Sequence, residues 1–339
     1  MIDQAAVCAY RLSVTHLDRR LGSGDYEAAA GGGLQDSFPR SGLLSLHARM
    51  EGVGRDSWEV PRLVQVWFRG ADYLVPRVDV GVFTLGSAPR DRERRASLEQ
   101  LADAVVDALD GRSLSYRELL SACPALPDAN SLSTLAVTGK VHIRWDASKI
   151  TIHAATPDPI DEEQARVELL RRFLHWLGPA TAAQFARWAG VSRSDAETTW
   201  KMLESDLSAV STDTQRGWIL ASDRKRLSAP TDVGSDHIRL LPAGDPYLYP
   251  HAGLDPQRTP AEFVTRQSLA GVSRPLLNSL LGRLLLRGKI VGSWGRAGGH
   301  VTIGLWRALT GDERELVSAE LARFSGPLGR EISVYWLEV

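Results

Sequence analysis

The sequence predicts a mainly α fold carrying β-hairpins (α+β), built as three tandem winged-helix units followed by a C-terminal β-containing region. Two patterns carry that expectation. Three times along the chain, segments with apolar residues at helical spacing are followed by a pair of short strand-like runs around a turn. From His237 onward, strand-like runs take over. With 339 residues, 43% of them hydrophobic, the chain can form two to four compact units with cores of their own.

The first unit, residues 1–90, opens with Val7, Leu12, Val14, Leu17 and Leu21 at mostly helical spacing, predicting a helix over Val7–Leu21. A short helix over Tyr26–Ala30 ends at Gly31-Gly32-Gly33, and a third is expected over Pro39–Met50, with Pro39 in its first turn. Leu63–Phe68 and Tyr73–Arg77 read as strands around a turn. The second unit, 91–156, repeats the order: helices over Arg92–Leu109, Ser115–Ala122 and Asn130–Val137, then strands over Val141–Trp145 and Ile150–His153. The third, 157–236, has helices over Glu162–Leu177, Thr181–Ala189 (Thr181 as N-cap) and Arg193–Leu207, with a wing over Val210–Leu220. The last region, 237–339, predicts a strand over Ile238–Pro242, a loop over 243–260 and a helix over Arg274–Leu286. Strands over Lys289–Trp294 and Val301–Trp306, a helix over Asp312–Phe324 and a closing strand over Ile332–Val339 complete it. Three helices followed by a hairpin is the winged-helix order, which implies DNA binding.

Charge is balanced, with 40 basic and 41 acidic residues, so no bulk field drives the chain onto a polyanion. Its distribution is uneven. Residues 237–310 carry 9 basic and 3 acidic residues, a candidate phosphate-binding face. Cys8 and Cys123 are far apart and lack a C-x-x-C partner, which fits a reducing cytoplasm and neither a disulfide scaffold nor a zinc site. No signal peptide and no membrane span is expected.

The chemistry-bearing patterns mostly exclude. There is no G-x-S-x-G elbow, no H-E-x-x-H and no phosphate-cradling glycine loop followed by Lys-Ser/Thr, so neither metal nor cofactor is expected. What remains is Gly31–Ser41, where three glycines lead into Gln35, Asp36 and Ser37 at a helix entrance. The glycines suggest a backbone that relaxes for φ > 0 or for close ligand approach.

G-L-Q-D-S-F-P at Gly33–Pro39, R-G-A-D-Y-L-V-P at Arg69–Pro76 and R-L-L-P-A-G-D-P-Y-L at Arg239–Leu248 together resemble the AlkZ/YcaQ winged-helix DNA glycosylase family. The resemblance covers essentially the whole chain. It implies tandem winged helices forming a concave DNA-binding surface, and excision of bulky N7-alkylguanines, interstrand crosslinks among them, in some members as self-resistance to a DNA-alkylating natural product. It also implies a catalytic signature of glutamine, a variable residue, then glutamine or aspartate. Gln35 matches the first position, Asp36 the spacer, and Ser37 departs from the third.

The resemblance thus implies a monofunctional glycosylase acting as a monomer on double-stranded DNA containing alkylated guanine. Gln35 and Ser37 would position a water, and Asp36 would stabilise the sugar cation or accept the water's proton if its side chain turns inward. Candidate DNA contacts are Arg296 at a glycine-rich hairpin tip, His300, Arg239, Arg49 and Arg40; Asp245 and Tyr247 are candidates to line the cleft. The motif holds no lysine, so a lyase step is not expected. The alternative is a non-catalytic winged-helix protein that regulates transcription or shields a lesion.

Overall fold

The computed structural model describes residues 2–128, 130–157, 159–213, 216–229, 233–251 and 281–337. The first helix, α1 (Gln4–Val14), starts where the Asp3 carboxylate accepts the Ala6 N–H at 2.7 Å. It stops at Val14 rather than Leu21. The Thr15 hydroxyl donates to the Arg11 carbonyl, and His16 takes a left-handed φ of 56°. Leu17 and Leu21 keep their apolar environments without being helical: Leu17 is fully buried, and Leu21 pairs its backbone with Arg49 and Glu51.

Next come α2 (Tyr26–Ala30), a two-residue strand β1 (Leu34–Gln35) and α3 (Ser41–Arg49). The expected helix start at Pro39 is late by one kink, since Arg40 sits at φ 65° before α3 begins. Strands β2 (Leu63–Phe68) and β3 (Ala71–Pro76) form a hairpin whose turn residues Arg69 and Gly70 both have positive φ, the geometry that matches strand twist. A short helix α4 (Val80–Phe83) closes this part. The next stretch contains α5 (Arg92–Leu109), β4 (Leu114–Ser115), α6 (Tyr116–Ala122), α7 (Asn130–Leu135), β5 (Val141–Trp145) and β6 (Ile150–Ala154).

The two hairpins are not separate wings. They share one six-stranded sheet in the order β1-β3-β2-β5-β6-β4, joined where Gln65 of β2 faces Ile143 of β5. Helices α8 (Glu162–Leu177), α9 (Ala182–Ala189) and α10 (Arg193–Met202) follow, with Thr181 capping α9 in a reciprocal box with Gln184. Strands β7 (Leu207–Ser211) and β8 (Arg216–Leu220) make a two-stranded hairpin, and α11 (Arg224–Ser228) comes after it.

The C-terminal part is a five-stranded sheet, β9 (Ile238–Leu241), β10 (Gly282–Leu286), β11 (Lys289–Ala297), β12 (His300–Leu305) and β13 (Ser333–Leu337), with α12 (Gly311–Ala322) and α13 (Ser325–Leu328) between β12 and β13. Its order is β13-β12-β11-β10-β9, antiparallel except for the parallel β12–β13 pair. The helix expected over 274–286 is corrected at its end, where Gly282–Leu286 is a strand; 274–280 lie outside the described residues. All five residues of β10 are buried, and an apolar run covered on both faces has no period to separate strand from helix. The loop expected over 243–260 is described only to His251.

One core runs from β2, β3 and α3 into α8, α9 and β8, with Phe68, Phe83, Phe173 and Trp188 in edge-on or tilted contact. A second lies under the C-terminal sheet and takes in Leu44 of α3. Helix α3 therefore has cores on two sides, and every one of its nine residues is buried. Among the described residues, no helix is long and apolar enough to cross a membrane.

Candidate active site

Gln35 lies in β1, paired with Tyr73 of β3. Its backbone is fixed on both sides: the Ser41 hydroxyl donates to the Gln35 carbonyl at 2.8 Å, and the Asp36 N–H donates to the Asp72 carbonyl at 2.7 Å. The half-buried side chain donates from Nε2 to the Ser37 hydroxyl at 3.3 Å. On its far side lies Gly244, at φ 80°, where a Cβ would come within 2.8 Å of Gln35 Oε1. Glycine at 244 is needed for both reasons.

Asp36 turns away from its neighbours. It is 1% exposed, and its two carboxylate oxygens accept from the Gly42 N–H and from Gln65 Nε2, each at 2.8 Å. Burial pushes this carboxyl up to about 7 against the pull of those two donors and of Arg40. Gln65 also brackets Trp145, accepting its N–H at 2.7 Å and donating to its carbonyl at 3.1 Å. Asp36 thus fastens α3 and the junction of the two hairpins. The roles of stabilising a sugar cation or accepting the water's proton are corrected, because the side chain faces protein.

In the glycine run before the motif Gly33 takes the positive φ expected of it, but the close approach is to the core. A Cβ at Gly32 would lie 2.2 Å from the Trp176 ring, and one at Gly33, at φ 73°, 2.8 Å from Phe83. Both glycines admit core aromatics, not a ligand.

Asp245 and Arg49 form a buried bidentate pair, both side chains 0% exposed, with contacts of 2.6 and 2.8 Å. The Ser45 hydroxyl donates to Asp245 at 2.7 Å, and the Tyr247 N–H at 3.0 Å. The pair ties the loop carrying Gly244 to α3, which begins beside the motif. The assignment of Arg49 to DNA contact is therefore corrected. Tyr247 is 2% exposed and packs with Leu12, Leu17 and Leu285, so it supports the loop from inside rather than lining a cleft. Asp245 likewise faces Arg49 and not a cleft.

Beside the motif opens a pocket of about 490 Å³, between Phe38–Ser41 on one side and Pro242, Trp294 and Arg296 on the other. Gln35 does not line it, but the segment that follows Gln35 and the Pro242–Ala243 stretch before Gly244 do.

A family model described as "DNA glycosylase AlkZ-like" matches residues 28–326. The chain belongs to the AlkZ-like DNA glycosylase family. Among solved structures, Streptomyces sahachiroi DNA glycosylase AlkZ matches with a TM-score of 0.73 and 21% identity over 98% of each chain, a likeness of fold. No curated protein sequence matches the chain.

In this glycosylase the remaining DNA-contact candidates separate. Arg40 and Arg296 both reach the pocket. Arg296 does not project from the hairpin tip; it folds back, donating to the Pro39 carbonyl and, at 3.3 Å, to Gly298. Arg40 lies over Trp58, 4.3 Å from the ring centroid, and donates to the Asp146 carbonyl at 2.8 Å. His300 is exposed at the start of β12 and bonded to Ser333 at 2.6 Å. Arg239 is 7% exposed and lines a different pocket with Arg20, Glu51 and Glu320, so it is corrected to a buried residue away from the motif.

Sequence reasoning missed Ser41, Gln65, Gly244, Arg55 and Arg330. Gly244 had a local signal in P-A-G-D-P; the two arginines stand alone in loops with none.

Proposed function

We propose that the chain is a monofunctional DNA glycosylase hydrolysing the N-glycosidic bond of bulky N7-alkylguanines, interstrand crosslinks included, and that it protects against a DNA-alkylating natural product. It would act as a cytoplasmic monomer on double-stranded DNA. Winged-helix units over 1–90, 91–156 and 157–236, with the basic region 237–339, would present the concave binding surface. The observation that carries the catalytic reading is the division of labour in the motif. With Asp36 buried and both its oxygens occupied, Gln35 and Ser37 are the motif side chains left to meet a ligand.

The chemistry suits that pair. An amide does not titrate near neutrality, so Gln35 is no ordinary general base. An N7-alkylguanine is already cationic, and its departure needs no acid. The sugar develops oxocarbenium character, as in glycoside hydrolysis, and what remains is to hold a water at C1′ and supply favourable dipoles. Gln35 and Ser37, bonded to one another and half-buried, can orient that water. A site open enough to leave them accessible suits adducts too large for a tight base pocket.

The test is incubation of DNA carrying a bulky N7-guanine adduct with protein, followed by detection of free adducted base and alkali-labile abasic sites. Wild type releases base, and Gln35→Ala does not. Tight binding with no released base at any enzyme excess overturns the reading in favour of a lesion-shielding protein.

A further inference from the structure

The pocket beside the motif collects four guanidinium groups from four separate segments: Arg40, Arg55, Arg296 and Arg330. Among the described residues, none of the four is paired with a carboxylate within 4.0 Å. Asp146, the one acid lining the pocket among the described residues, turns its carboxylate onto the Ser148 and Lys149 N–H groups, each at 2.9 Å, and accepts from Arg40 at its backbone carbonyl.

The like charges are close enough to act on each other. Arg296 is held below the usual guanidinium range by burial first and then by Arg330 and Arg40. Arg40 adds two marks of its own. Its Nη1 is buried without a hydrogen-bond partner, and its backbone stands at φ 65°, a conformation costly for a non-glycine residue. Two left-handed glycines make room for the others: a Cβ at Gly298 would meet Arg330 at 3.2 Å, and one at Gly329 would meet Arg55 at 2.8 Å. Asp36 acts on Arg40 and Arg296, and Asp146 and Glu59 on Arg40, but among the described residues no carboxylate touches any of the four, and four cations around one cavity favour the entry of an anion.

We propose that this pocket is a phosphate subsite that takes one phosphodiester of the DNA strand bearing the target nucleotide, with its sugar against the apolar wall of Leu44, Trp294 and Leu328. Guanidinium forks suit phosphate oxygens, which they meet by paired N–H donors. The site sets register. Arg296 holds the Pro39 carbonyl, four residues along the chain from Gln35, a path of at most about 14 Å. At about 3.4 Å of axial rise per nucleotide, the bound phosphate falls within about four nucleotides of the base facing Gln35. The proposal rests on the glycosylase reading only in placing a DNA strand at Gln35.

The test therefore reads binding and not base release. A duplex with a stable abasic analogue is synthesised as a series, each member carrying one uncharged methylphosphonate linkage, and affinity is measured by fluorescence anisotropy. Wild type is expected to lose affinity sharply at one linkage within four nucleotides of the analogue. Arg55→Gln/Arg330→Gln, both exposed in the free protein, is expected to bind all duplexes more weakly and to lose that position-specific drop. Its slope of log affinity against log salt should fall by about 0.9, one phosphate's worth. Arg55→Lys/Arg330→Lys should recover the slope. A flat methylphosphonate profile in wild type, or the same profile in wild type and variant, overturns the proposal. Thermal stabilisation by inorganic phosphate over matched chloride, with a flat profile, assigns the pocket to a free anion and overturns it equally. Failure of the catalytic reading leaves every one of these readouts in place.

Discussion

Arg49→Met separates a buried ion pair from a DNA contact. In wild type, the two terminal guanidinium nitrogens each donate to one oxygen of Asp245, at 2.6 and 2.8 Å, with neither side chain exposed. The variant leaves the carboxylate with the Ser45 hydroxyl and the Tyr247 N–H as donors and with no counter-charge. Breaking a buried pair from one side costs about 3–5 kcal/mol. The Arg49 guanidinium also lies 5.4 Å from the Trp176 ring centroid, a contact worth about 0.5–2 kcal/mol that is lost as well. A drop of about 4 kcal/mol or more is a large share of a normal folding stability. Urea denaturation followed by tryptophan fluorescence measures it. The double variant Arg49→Met/Asp245→Leu removes both charges and should recover most of the loss, because an apolar replacement of both partners is close to neutral. If Arg49→Met instead leaves the urea midpoint unchanged, while DNA affinity falls and the salt slope drops by about 0.9, Arg49 is a phosphate contact and the buried-pair reasoning is wrong.

Further expectations follow from neighbouring residues. Gly244→Ala places a methyl 2.8 Å from Gln35 Oε1 at φ 80°, and a displacement of Gln35 by about 1 Å should slow base release about a hundredfold with DNA affinity little changed; single-turnover kinetics beside anisotropy checks it. Ser37→Ala should slow release less than Gln35→Ala does, since it removes one of two groups on the water and leaves the amide; equal losses would mean that the hydroxyl is as important to the water as the amide. Asp36→Asn turns a donor toward Gln65 Nε2, and Gln65 cannot reverse its amide because it brackets Trp145, so about 1–3 kcal/mol of stability should be lost at low pH. The folded pKa of Asp36, about 7, lies above its ordinary 3.8, so its contribution is fully present below pH 3.8 and disappears as pH rises through about 7. Wild type should therefore lose its advantage over Asp36→Asn between about pH 4 and pH 7, and a gap that widens with pH would refute the assignment.

The parts of this fold legible in the sequence are those whose signals are local. Helices α5, α8 and α9 each begin at a residue that caps them, Asp91, Asp161 and Thr181, and β2–β3 turns at Arg69-Gly70. Legibility ends where two cores meet. Helix α3 is buried all round, so no polar face marks Arg49 as internal, and Asp245 lies 196 residues away. Strand β10 is buried on both faces and reads equally as helix. The arginine pocket draws on four segments, each with one unremarkable arginine, and only packing brings them together.

The motif itself follows from strand periodicity. Gln35 closes a strand, and in extended chain alternate residues share a side. Gln35 and Ser37 accordingly meet at 3.3 Å while Asp36 points the opposite way, into α3 and Gln65. The spacer position therefore answers to the interior, and the first and third positions answer to the ligand. Serine in the third place has a shorter reach than glutamine or aspartate, but its hydroxyl accepts from the Gln35 amide and fixes which end of that amide faces Gly244. On this geometry Ser37 orients Gln35 as well as facing the water beside it. Restoring glutamine there would put a second amide where Gln35 Nε2 now finds its acceptor, so Ser37→Gln should alter the rate of base release more than it alters DNA affinity.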